Sequence, residues 1–197
     1  MTTRCRAAAA ALAVLGLTTA CAGPVTSSSS ASRAALYGSL AELTAASSLV
    51  VAGVAGDQRT AADITPSLDF TLTAFEVEAT VEPEGGSFEG RTIVVRQTGS
   101  ADQPPPAGSL LEPGRAYLLF LTASGLPGEL AEQYYVTGVT AGLYTARDPA
   151  ALLVESGDWG TAVFDEAAVE EGDVLPDAVT AADVPTLGEP QEDYIAP

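Results

Sequence analysis

DFTLTAFEVEATV, residues Asp69 to Val81, alternates apolar and polar side chains with period two, the pattern of a half-buried β-strand. Phe70, Leu72 and Ala74 hold one face. Phe75, Val77, Ala79 and Val81 then hold the other, so the phase slips by one at Ala74–Phe75. Such a slip turns every later side chain to the wrong face unless one extra residue is accommodated. A β-bulge does this and also bends the strand, as a small barrel requires. The sequence therefore predicts a bulge or sharp bend at Ala74–Phe75, within a curved all-β domain.

Working outward, Leu49 to Val54 is a short apolar run rich in β-branched residues, a buried strand in which Gly53 marks a bend or a close backbone approach. A loop from Gly56 to Pro66 follows. On the other side, Glu82 to Gly90 is a Pro/Gly turn. Arg91 to Thr98 is a strand with Ile93 and Val95 on one face and Val94 and Arg96 on the other. The segment 99–109, with Pro104, Pro105 and Pro106, is an extended loop. The turn Glu112-Pro113-Gly114-Arg115 feeds a second buried strand, Ala116 to Thr122. Ser124 to Glu132 is a loop, and Tyr134 to Ala146 is a strand that breaks near Ala141-Gly142. A helical turn is predicted at Pro149–Leu153 and a last short strand at Trp159–Phe164. Ahead of all these strands, Arg33 to Ser47 carries Leu36, Leu40 and Leu43 on one helical face, an amphipathic helix packed on the domain it precedes. There is no internal repeat and no second core, so one domain is expected over residues 35–165. The acidic, Pro-containing segment 166–197 is expected to be a disordered tail.

The order of these pieces resembles a known pattern. A helix leads into ASSLVVAGVAG, then DFTLTAFEVEATV, GRTIVVRQTGS, EPGRAYLLFL, YYVTG and GLYTA. This resembles a group of secreted bacterial proteins with an OB-like barrel, which is similar to the netrin-like module of the tissue inhibitors of metalloproteinases. The resemblance spans Leu36 to Ala146. It implies an all-β fold with one N-terminal helix, a small OB-like or netrin-like β-barrel of five or six strands. Those inhibitors rely on disulfides and on a free N-terminal cysteine that binds the protease zinc. Neither feature is expected here, so metalloprotease inhibition is not implied.

The start of the chain reads as an export signal. Arg4 and Arg6 form a short positive region, and Ala7 to Leu17 is an apolar run of eleven residues, too short for the roughly 20 needed to span a bilayer. Leu17-Thr18-Thr19-Ala20-Cys21 resembles a bacterial lipobox, with Thr18 where leucine is more usual. Residues 1–20 are thus expected to be cleaved. Cys21 would carry diacylglycerol and acyl chains of the palmitate type, and the Ser-rich segment 21–34 would be a flexible linker. Cys5 leaves with the signal, so the mature chain would hold one cysteine and no internal disulfide. The expected location is the extracytoplasmic face of the cell membrane, held by the lipid on Cys21. The high Ala content, with Arg but no Lys, suits a GC-rich actinobacterial genome.

Composition removes several chemistries. The chain has a net charge of −18 and no Lys, His or Asn. Without His there is no Ser-His-Asp triad and no imidazole-ligated zinc; without Lys there is no Walker phosphate loop and no Schiff base. The acidic excess opposes nucleic-acid binding, which needs basic patches. No cofactor and no catalytic residue are assigned. Three constellations remain as candidates. Glu76 and Glu78, on one strand face, have the residue type of a glycosidase pair, although solvated strand carboxylates are the commoner reading. Asp165, Glu166, Glu170, Glu171 and Asp173 could gather around Ca²⁺, although their spacing is not that of an EF-hand. Tyr134, Tyr135, Tyr144 and Trp159 could form an aromatic binding patch or fill the core. The reading is a non-enzymatic envelope lipoprotein presenting an interaction or binding module to an envelope protein partner. The alternatives are a calcium- or small-ligand-binding protein and, less favoured, a carboxylate-dependent glycan-active enzyme.

Overall fold

The computed structural model describes residues 36–82, 86–152, 157–168 and 174–186. The segment expected to be an export signal, Cys21 and the expected linker lie outside them, as do Glu170, Glu171 and Asp173. Five strands close into a barrel: β1 (Leu49–Ala61), β2 (Phe70–Glu82), β3 (Thr92–Thr98), β4 (Ala116–Ala123) and β5 (Gln133–Val136). The order around the barrel is β1-β2-β3-β5-β4, and β4 returns to β1 to close it. The β3–β5 pair is parallel and the others are antiparallel. The fold is all-β and OB-like. Beyond the barrel, β6 (Leu143–Ala146) pairs with β4, and β7 (Phe164–Glu166) and β8 (Ala178–Val179) continue the sheet outward.

The apolar runs of β1 and β4 are buried on both faces, as near-continuous hydrophobic strands must be. Leu49, Val51, Phe75, Val77, Ile93, Val95, Leu119 and Leu121 fill the barrel. Val50, Ala52, Leu118 and Phe120 face outward into a second apolar layer with Leu43, Tyr144, Phe164 and Val179. This layer corrects the expectation of a disordered tail for one part of it, the described segment 174–186, and the sheet remains a single one. Residues 174–186 form β8 and a 3-10 turn, Ala181–Asp183, and Val179 and Val184 are buried. The acidic composition hid a few well-spaced apolar residues that cover the outward face of β1 and β4. The strand expected at Trp159–Phe164 starts later, at Phe164, while Trp159 packs beside the outer layer from a turn.

The predicted bulge is not in β2 at Ala74–Phe75. Ala74 and Phe75 pair regularly with Val94 and Ile93 of β3. The extra residue opposite Ala74 belongs to β1, where Ala55 pairs with Phe75 and Gln58 with Thr73, leaving two residues against one. The slip in hydrophobic phase has a different cause. Thr71 and Thr73 continue the inward parity of Phe75 and Val77, while Phe70 and Leu72 are buried on the outward face, Phe70 beneath Arg96. β2 does bulge further along, at Glu78 and Val81, where Gly53 pairs with Val77, Ala52 with Ala79, Val51 with Thr80 and Val50 with Glu82. Those bulges carry Ala79 and Val81 into the outer layer. Gly53 marks the close approach read from the sequence: a Cβ there would lie 2.0 Å from the Glu76 carbonyl oxygen.

The helix is shorter than its periodicity suggested. α1 spans Leu40–Ala45, and Ser39 caps it by accepting from the Glu42 amide at 3.2 Å. Leu43 is fully buried, but Leu36 precedes the helix and is 54% exposed. A second short helix, α2, covers Pro149–Leu152.

Candidate functional site

A cleft of about 370 Å³ opens on the outer wall of the barrel where β3, β5 and β4 meet. Its size falls within the range of small-molecule sites, about 300–1,000 Å³. Outward side chains of three strands line it: Arg96 and Thr98 from β3, Tyr135 from β5 and Thr122 from β4. The loop bearing Pro105, Pro106 and Leu110 and the turn at Thr137–Val139 complete the rim, together with Tyr37.

Arg96 is the charged group of this wall and has no solvent exposure. Its Nη1 and Nη2 donate to the two carboxylate oxygens of Asp63, each at 2.7 Å, and its Nε donates to Gln133 Oε1 at 2.7 Å. The guanidinium also lies 4.9 Å over the Phe70 ring. This fork-on-fork pairing holds the Asp63 carboxyl below its ordinary pKa, and the hydrogen bond from Arg96 is the main cause. Burial raises the Tyr135 phenol above its ordinary value, so it stays protonated and able to donate. Hydroxyls tie the lining together: those of Thr122 and Thr137 are 2.8 Å apart, and Ser47 donates to Thr137 at 2.9 Å.

The rim at Gly138–Ala141 is an excursion from a strand. Thr137 N–H donates to the Phe120 carbonyl, and the Phe120 N–H donates to the Gly142 carbonyl, both at 2.9 Å. The four residues between are looped out, and the ladder resumes in β6. The sequence had placed a break here, and the structure has one. At its tip the Thr140 amide donates to the Gly138 carbonyl at 2.7 Å, closing a γ-turn over Val139 at φ +67°. Among the described residues Val139 is the one non-glycine with positive φ, a conformation that strains a β-branched side chain.

The residues singled out from the sequence do not converge. Glu76 and Glu78 are exposed on β2 and line neither cleft. Asp165 is engaged by Arg147, whose Nε lies 3.1 Å from each carboxylate oxygen, and Glu166 pairs across the strand with Tyr144. Among the described residues no group of three acids or thiols is placed to hold a metal ion. The four aromatics divide: Tyr134 packs edge-on against Phe88 beside the barrel core, Tyr144 is buried against Phe120, and Trp159 borders the outer layer. Tyr135 alone reaches the cleft. Sequence reasoning assigned no role to Asp63 or Arg96. The available signal was an arginine directly after the apolar run Ile93-Val94-Val95, a charge that must be solvated or paired. A second hollow, about 380 Å³, lies beside Arg147, Asp148 and Asp158.

No protein-family model, curated protein or solved structure matches the chain.

Proposed function

We propose that this chain is a lipid-anchored extracytoplasmic lipoprotein whose barrel is a non-enzymatic binding module. The observation that carries the binding role is the cleft: a preformed concavity whose one charged group among the described residues, Arg96, is already paired inside the fold. A rigid wall of three hydrogen-bonded strands binds with little ordering cost. The lipobox-like sequence at Cys21 supports the anchor. Two or more acyl chains would hold it firmly, where a single chain binds marginally. The netrin-like resemblance adds a barrel that presents surfaces to partners and contributes nothing toward protease inhibition.

The test has two arms in a lipoprotein-processing bacterial host. The wild-type chain is expected to incorporate labelled palmitate and to sediment with membranes; Cys21→Ala is expected to lose the label and leave the membrane fraction. A photo-cross-linking residue at Leu110, on the cleft rim, is expected to capture envelope material that the same residue at Glu76 does not. Equal labelling of the Cys21→Ala protein would overturn the anchor. Identical capture at both positions would overturn the cleft as the binding face.

A further inference from the structure

Resting on the binding-module reading, we infer that the cleft takes a small uncharged molecule with an apolar body and a hydrogen-bonding end. Four observations lead to this class. First, the wall presents no net charge. Among the described residues Arg96 is its only ionic side chain, and both guanidinium amino groups are occupied by Asp63 at 2.7 Å, with the Nε on Gln133. An anion would have to compete with a carboxylate already seated in bidentate geometry, and among the described residues no Asp or Glu lines the cleft to receive a cation. Second, the whole chain carries a charge of −18, which repels anions before they reach the site. Third, the lining is largely apolar: Pro105, Pro106, Leu110 and Val139 bring carbon surface to it, and Tyr135 and Thr98 are among its residues with hydrogen-bonding groups. Fourth, Val139 is held 42% exposed at that rim by a strained backbone. A glycine would relieve the strain and remove the side chain. The fold accepts a cost at this position, and what it obtains is an apolar group standing at the mouth of the cleft.

The experiment uses two fluorescent probes that share one ring system, the neutral N-phenyl-1-naphthylamine and its sulfonated relative 8-anilinonaphthalene-1-sulfonate. The purified full chain carries Cys21→Ser so that no acyl chain competes. The neutral probe is expected to bind one-to-one and saturably, at least tenfold tighter than the sulfonate. Ala107→Trp, which fills the cleft, is expected to abolish that binding. Val139→Gly is expected to weaken it at least threefold while leaving the unfolding temperature unchanged or higher. A sulfonate that binds as well as the neutral probe would overturn the uncharged class and leave the binding module standing. Binding unaffected by Ala107→Trp, or a Val139→Gly protein that unfolds earlier with unchanged affinity, would overturn the cleft assignment. Saturable binding of neither probe would overturn this inference and leave the binding module to the cross-linking test.

Discussion

Removing the Asp63 carboxylate should destabilise the protein by leaving a charge buried. In Asp63→Ala, Arg96 keeps Gln133 and the Phe70 ring but loses two charge-assisted bonds of 2.7 Å, and it has no solvent exposure of its own. Breaking a buried pair from one side costs about 3–5 kcal/mol. The Asp63 side chain is 31% exposed, so water can enter the vacated space and the cost should sit at the lower end, about 3 kcal/mol. For a domain of this size that is a fall of about 6–12 °C in Tm. Urea unfolding followed by the fluorescence of Trp159, the one tryptophan, measures it. The double variant Arg96→Met/Asp63→Ala removes the orphaned charge and should recover much of the loss, since apolar replacement of a buried pair is often neutral. Acid supplies an independent check of sign. The folded-state pKa of Asp63 is depressed. Its stabilisation is therefore complete above the unfolded value of about 3.9 and is lost as pH falls through the lower folded value. Wild type should lose this increment at low pH, and Asp63→Ala should not. A cost below about 1 kcal/mol, or a double variant no more stable than Asp63→Ala, would refute the reasoning.

Other expectations follow from single positions. Gly53→Ala places a methyl 2.0 Å from the Glu76 carbonyl oxygen, a clash with the backbone of the neighbouring strand, and should cost about 3 kcal/mol or more in urea unfolding. Phe164→Ala should cost about 3–5 kcal/mol, because Phe164 is fully buried in the outer layer; a value near zero would mean that this layer is not part of the cooperative unit. Truncation after residue 173 removes β8 and uncovers Phe164, so limited proteolysis should then cut the shortened chain faster than the intact one. Ser39→Ala removes the cap of α1 and should cost about 1 kcal/mol by thermal melting.

The local patterns of this chain determined a good part of its architecture. Period-two alternation located β2 and β3, and the unbroken runs LVVA and YLLFL marked β1 and β4 as strands without a solvent face. Gly53 announced a close approach, and Ala141-Gly142 a broken strand. These features depend on neighbours within a few residues, which is the range over which strand geometry repeats. The phase slip at Ala74–Phe75 misled because a period registers which faces are buried, not what buries them. Phe70 lies outward under Arg96, and the bulge that faces Ala74 belongs to β1. Tertiary structure alone decided the parallel closure of β3 on β5, the burial of Val179 within an acidic segment, and the cleft itself. Asp63 and Arg96 are 33 positions apart, and the cleft draws on residues from Tyr37 to Val139. Their meeting depends on barrel closure, a non-local pairing for which neither alternation nor composition carries a signal.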